Sequence, residues 1–196
     1  MFKVIIGGAI GGIIACIWGF ISWGILPWHE MTINQFSDQE RVLEVIKENA
    51  VVDGVYIAPS EQFIPSKADR SQMGQGCKSE GTKVRPFIYA QIKTGKTHCL
   101  SPSYYLCSFL IQCVGTILII LLLMRMATTN YGGRLLFVTV IGLIVGVLGL
   151  LPNWNWFGAG CRFTLVMMID CLIQWFLVGL FLARFIRPNG KVAPTK

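Results

Sequence analysis

Four apolar stretches divide the chain, running from Val4 to Leu26, Tyr104 to Met124, Leu135 to Leu151 and Phe163 to Phe185. Each is near the ~20 residues that a helix needs to cross a hydrocarbon core about 30 Å thick. The pattern predicts an all-α transmembrane four-helix bundle. It also predicts a small α+β extracytoplasmic domain between the first and second spans. The expected organisation is a first transmembrane helix over 1–26, the outer domain over 27–102, spans two to four over 103–187 and a cytoplasmic tail over 188–196. Within the polar segment, Ser37-Asp38-Gln39-Glu40 has the S-x-x-E form of a capping box. Val42, Leu43, Val45 and Ile46 then follow on one stripe, so an amphipathic helix is expected to about Asn49. Asp53-Gly54 reads as a turn, with strands at Val55–Ile57 and Pro86–Ile92. The Ser, Gly, Gln and Lys of Pro59 to Lys83 read as a loop.

Composition agrees with a membrane setting. The 196 residues are 54% hydrophobic and 14% charged, with a mean hydropathy of +0.59, against about 25% charged in soluble proteins. The net charge of +7 raises the question of nucleic acid. From Pro27 to Pro102, however, nine acidic residues balance nine basic ones. The excess belongs to Lys3, Arg125, Arg134, Arg162, Arg184, Arg187, Lys191 and Lys196 against Asp170 alone. With four spans, all of these basic residues except Arg162 fall on one side, which the positive-inside rule makes cytoplasmic. The chain is thus expected in a bacterial inner membrane with both termini cytoplasmic, and nucleic acid is not an expected partner. The first apolar run exceeds a signal-peptide core and no A-x-A-like cleavage site follows it, so it is read as a retained span.

Gly7, Gly8, Gly11 and Gly12 place two G-x-x-x-G pairs on one surface of the first span, and Gly142 and Gly146 repeat the spacing in the third. Such stripes admit close helix approach, either inside the bundle or to a membrane-protein partner or second copy. Cys16, Cys107, Cys113 and Cys171 lie in spans, where a thiol behaves as a small hydrophobe. Cys161 falls at the outer interface. Cys77 and Cys99 lie in the outer segment, where an oxidising compartment would allow a disulfide between them, two unpaired thiols being the alternative.

The stretches Leu26-Pro27-Trp28-His29, Asn49-Ala50, Gly54-Val55-Tyr56, Leu151-Pro152-Asn153-Trp154-Asn155-Trp156, Thr164-Leu165-Val166-Met167-Met168 with Asp170, and Trp175-Phe176-Leu177 carry a family resemblance. The chain resembles a widespread, functionally uncharacterised family of small multi-pass bacterial inner-membrane proteins. The resemblance implies four spans and a small outer domain, and it brings no activity with it.

Asp170 is the single acid in any span, about seven residues or ~10 Å below the expected outer end of the fourth. An ionisable group at such depth usually faces the bundle interior; structural glue is the leading expectation here, with a proton or ion relay as the alternative. Gln174 lies one turn on, and Gln112 in the second span sits between Ser108 and Thr116, so Gln112, Asp170 and Gln174 are expected to form an interhelical polar cluster. The two histidines, His29 and His98, flank the outer segment beside Glu30 and Cys99. These four offer the N, O and S ligand types suited to zinc or copper. They lack close ligand spacing, so no metal and no cofactor is assigned. Trp154 and Trp156 form with Trp28 and Tyr104 an aromatic anchor set. Together with His29 and Arg162, Trp28, Trp154 and Trp156 are the candidates for holding a lipid or quinone headgroup. Gly95-Lys96-Thr97 resembles the end of a phosphate loop, but Ala90 stands where the motif needs glycine. No catalytic constellation emerges. The leading expectation is a non-catalytic lipid-binding or membrane-complex accessory protein, with a small transporter or outer-leaflet enzyme built on Asp170, Arg162 and the Trp154/Trp156 loop as its rival.

Overall fold

The structure is a computed structural model that describes residues 1–60, 86–95, 101–126 and 130–186. Among these residues are five α-helices: α1 (Phe2–Gly24), α2 (Gln39–Asn49), α3 (Pro102–Leu123), α4 (Tyr131–Phe157) and α5 (Cys161–Phe185). A 3-10 turn at Glu30–Thr32 and two strands, β1 (Gly54–Ala58) and β2 (Ile88–Ile92), complete the set. Helices α1, α3, α4 and α5 are each long and apolar enough to cross a membrane. Only 17–28% of their most apolar windows is buried inside the protein, and Ile13, Ile17, Leu110, Ile111, Leu118 and Leu148 are exposed. Water would not tolerate so much apolar surface. The chain is a multi-pass membrane protein.

The third span runs well beyond its expected end at Leu151. Helix α4 passes through Pro152 and carries Trp154 and Trp156 in its last turns, so the expected tryptophan loop is helical. Asn153 helps by donating from Nδ2 to the Gly149 carbonyl at 3.2 Å. The turn closes at Gly158, whose φ of +69° is available to glycine at little cost, and Ala159 N–H then reaches the Asn153 carbonyl at 3.2 Å.

The chain divides into two compact units. In the first, Gly7, Gly8, Gly11 and Gly12 of α1 are buried against α3. A Cβ added at Gly12 would stand 3.1 Å from the Cys113 backbone nitrogen, and one at Gly7 would stand 2.9 Å from Ile120 Cδ1. The glycine stripe therefore serves contact between helices of the same chain. Helix α5 meets α4 in a similar way. A Cβ at Gly142 would lie 2.6 Å from Trp175 Cβ, and one at Gly179 3.2 Å from Val138 Cβ. Ile119, Ile120, Leu123, Val138, Val178 and Leu182 form the core between these seams. Buried Arg134, in the first turn of α4, donates from Nε to the Ala183 carbonyl at 2.7 Å. That bond satisfies one of the four carbonyls a helix leaves open at its C-terminus and places a cation on the negative end of its dipole.

The second unit contains α2, the two strands and Trp156–Gly158. Helix α2 begins one residue later than the capping box implies. Asp38 is the N-cap, its carboxylate accepting from Arg41 N–H at 3.0 Å, a role for which a short acidic side chain is as suitable as serine. β1 and β2 pair antiparallel with Gly54 opposite Ile92 and Tyr56 opposite Ala90. Beyond the paired residues, Asp53 Oδ1 accepts from both N–H and Oγ1 of Thr94 at 2.7 Å. Tyr89 stacks on Phe157 with ring centroids 4.2 Å apart. The expected Pro59–Lys83 loop, apart from Pro59 and Ser60, and both Cys77 and Cys99 lie outside the described residues.

Candidate functional site

The site is built from three parts of the helical unit. Trp18 and Ser22 stand four residues apart on α1 and so share one helix face. Helix α1 then ends with Ile25 and Leu26 N–H both bonded to the Ile21 carbonyl, after which the chain folds back over the last turn. Trp28 Nε1–H donates to the Ser22 carbonyl at 3.0 Å and lies 3.1 Å from Ser22 Oγ, occupying a carbonyl that the helix end leaves open. This reversal groups Pro27–Asn34 with the helices, although the polarity of these residues reads as the start of the outer segment. His29 is thereby carried into the interior, 1% exposed. Its ring lies flat on Trp23, centroids 3.9 Å apart and planes 6° from parallel. The edge of Trp28 meets it at 5.4 Å.

The third part is Asp170, buried in α5. Its Oδ1 accepts from Trp18 Nε1–H at 2.7 Å and from Ser22 Oγ at 2.6 Å. Ser22 Oγ is also 2.9 Å from His29 Nε2, and His29 Nε2 lies 3.8 Å from Asp170 Oδ2. A serine hydroxyl has one proton and two lone pairs. With Asp170 as a carboxylate, that proton must point to Oδ1. Ser22 Oγ is then an acceptor toward both Trp28 and His29, which sets the proton of a neutral His29 on Nε2. Nδ1 is left as a lone-pair acceptor, and this buried atom has no hydrogen-bond partner among the described residues.

The trio of Ser22, His29 and Asp170 is not a hydrolase triad. In a triad the histidine stands between the serine and the acid, and the serine oxygen is open to substrate. Here the serine occupies the middle and is fully buried. The arrangement can hold helices together, but it presents no nucleophile.

The expected polar cluster of the spans separates into two. Gln174 Nε2 donates to Gln112 Oε1 at 3.2 Å, joining α5 to α3, while the bonds of Asp170 run to α1. Thr116, also expected near Gln112, donates to the Gln112 backbone carbonyl at 2.8 Å. Trp28 belongs to the Ser22 network. Trp154 and Trp156 are exposed on α4, and Arg162 is exposed in the first turn of α5. Of the metal-ligand candidates, His29 is in the network and Glu30 is exposed at the start of the 3-10 turn. His98 and Cys99 lie outside the described residues. Among the described residues no group of three or more His, Cys, Asp or Glu side chains converges on one point.

Sequence reasoning missed Trp18 and Ser22. A signal for them exists: Ser22 is a polar residue in an apolar span, one turn from an indole N–H, and Asp170 requires donors from another helix. No protein-family model, curated protein or solved structure matches the chain.

Proposed function

We propose that this is a non-catalytic inner-membrane protein that binds lipid or supports a membrane complex, with both termini in the cytoplasm and the segment between α1 and α3 outside. The observation that carries the reading is the engagement of Asp170. The acid that would be the first suspect for transport or catalysis has one carboxylate oxygen bonded to Trp18 and Ser22, and it ties α5 to α1. Bonds of this kind contribute about 0.6 to 2 kcal/mol each in a bilayer. The apolar helix faces and the exposed Trp154, Trp156 and Arg162 supply surfaces for lipid acyl chains and an anionic headgroup. The charge asymmetry supports the orientation, and the resemblance to small four-span bacterial inner-membrane proteins supports the setting.

The test is purification of the full chain in mild detergent followed by mass spectrometry of what remains bound. The expected result is retained phospholipid or a stoichiometric protein partner. A retained small polar substrate, together with its turnover or transport in liposomes, would overturn this reading in favour of the rival built on Asp170, Arg162, Trp154 and Trp156.

A further inference from the structure

The buried residues of α3 are Thr116, Ile119, Ile120 and Leu123, all in its second half. Thr116, Ile119 and Leu123 continue a stripe that begins with Tyr105, Ser108 and Gln112, at spacings of three and four residues that keep to one helix face. Before Thr116 that same face is uncovered. Gln112 is half-buried, and Ser108 and Tyr105 are exposed. Helix α4 changes in the same way toward its other end. Its core-facing stripe is buried at Val138, Gly142 and Gly146 and exposed at Gly149 and Asn153. A Cβ added at Gly149 would meet nothing within 4 Å.

Trp175 of α5 bridges the two helices below this opening. Its Cβ lies against Gly142 of α4, and its far edge, Cη2, stands 3.4 Å from where a Cβ on Gly115 of α3 would be. Gln112 is one turn before Gly115, and Gln174 of α5 donates to its Oε1 there at 3.2 Å. We infer that the cleft between the uncovered faces of α3 and α4 is a water-filled vestibule. It opens at the side where α3 begins, ends at Trp175, and admits a small neutral solute that carries hydrogen-bonding groups.

Gln112 is ten residues past Pro102, hence ~15 Å along the helix and near the middle of a hydrocarbon core about 30 Å thick. Each glutamine amide has two N–H donors, and the pair spends one of them on the bond from Gln174 to Gln112. The others, both donors of Gln112 Nε2 among them, have no partner among the described residues. An acyl chain offers them none, and a phospholipid headgroup does not reach this depth. Polar groups open at such depth occur where they line a water-filled cavity. The opposite side of α3 presents Ile111, Val114 and Leu118, all exposed. The helix thus has two exposed faces of different character, and only the apolar one suits hydrocarbon.

The lining sets the class of solute. Tyr105, Ser108, Gln112, Asn153 and Gln174 are uncharged and together offer donors and acceptors. An ion would find no counter-charge among them and would lose hydration without compensation, whereas a hydroxyl or amide compound is matched. Beyond Trp175 the apolar core around Ile119, Ile120, Leu123, Val138, Val178 and Leu182 closes the bundle, so the vestibule is a dead end and not a pore. It goes beyond the accessory role proposed above and does not depend on it. Only the side to which it opens rests on the proposed orientation.

Thiol accessibility in the full chain, held in membrane vesicles of each orientation, tests the vestibule. Peptide mass spectrometry locates each modified residue, so the native cysteines stay in place. A thiosulfonate reacts with the thiolate, not the thiol, and modification therefore reports water at the site. Ser108→Cys, Gln112→Cys and Gly149→Cys should react with a hydroxyethyl thiosulfonate at least ~10-fold faster than Ile111→Cys and Val114→Cys, since hydrocarbon disfavours a thiolate. Ser108→Cys changes one atom and Gly149→Cys adds a side chain into open space, so both preserve the comparison if Gln112→Cys does not fold. A membrane-impermeant trimethylammonium thiosulfonate should reach these sites from the outer side alone and, relative to a free thiol, more slowly than the neutral reagent. Entry from the cytoplasmic side alone would support the vestibule and reverse the proposed orientation. Equal slow rates at all five positions would overturn it in favour of a lipid-filled cleft. Disulfide cross-linking of Gln112→Cys between two chains, without modification, would overturn it in favour of a second copy. A cationic reagent as fast as the neutral one would overturn the class of solute.

Discussion

Ser22 Oγ lies 2.6 Å from Asp170 Oδ1 across a sequence separation of 148 residues, and this contact fixes the register of the first span against the last. Its length is the ordinary one for an O–H donating to a charged oxygen. Trp18, four residues earlier on α1, donates to the same oxygen at 2.7 Å, so rotation or sliding of either helix breaks both bonds together.

Asp170→Asn should therefore fold, because its amide oxygen still accepts from Trp18 and Ser22. Asp170→Leu should lose both bonds and leave Trp18 Nε1–H an unpaired donor, at a cost of about 1 to 4 kcal/mol. Thermal unfolding in detergent checks the order, which is parent, then Asn, then Leu. A Leu variant as stable as the parent would remove Asp170 from the forces that hold α1 to α5.

Gly12→Ala should be costly and Gly19→Ala harmless. The added Cβ at Gly12 meets the Cys113 backbone at 3.1 and 3.2 Å, whereas nothing lies within 4 Å of one at Gly19. Overpacking of this kind costs about 1 to 3 kcal/mol, and alanine is a better helix former than glycine by roughly 1 kcal/mol in water. The two melting temperatures should move in opposite directions or differ clearly. Equal effects would show that α1 and α3 are free to separate.

Arg134→Met should destabilise the end of α5, since the Ala183 carbonyl loses a charged donor. The expected cost is about 1.5 to 3 kcal/mol. Arg134→Lys should recover part of it through the charge alone. Hydrogen exchange at the last turn of α5 is the measurement, and unchanged protection in Arg134→Met would count against the cap.

Reporter fusions after Lys196 and near Gly132 should give a cytoplasmic signal, and one near Gly76 an outer signal. The charge distribution across the spans is the basis of this expectation. An outward C-terminus would sink the proposed orientation.

The four spans, helix α2 and the strand pair were legible along the chain because each depends on neighbours in sequence. A run of apolar residues sets a span by its length, and alternation or a 3.6-residue stripe sets a strand or a surface helix. The glycine stripe of α1 was legible as a contact surface, yet the sequence left open whether the contact was inside one chain. Packing against Cys113, Thr116, Ile117 and Ile120 of α3 decided that, since only the assembled helices show which one fills the groove. The extension of α4 past Pro152 was hidden because proline and the polar Asn153 read locally as a stop, while the Asn153 side chain and Gly158 support a longer helix. Asp170 stood out as an in-span acid from composition alone. Its partners did not, because Trp18, Ser22 and His29 come from the other end of the chain and meet it only when α1 and α5 lie side by side and Trp28 folds the chain back onto α1. Local pattern determines which segments enter the bilayer; hydrogen-bond geometry between segments distant in sequence determines what their few polar atoms do there.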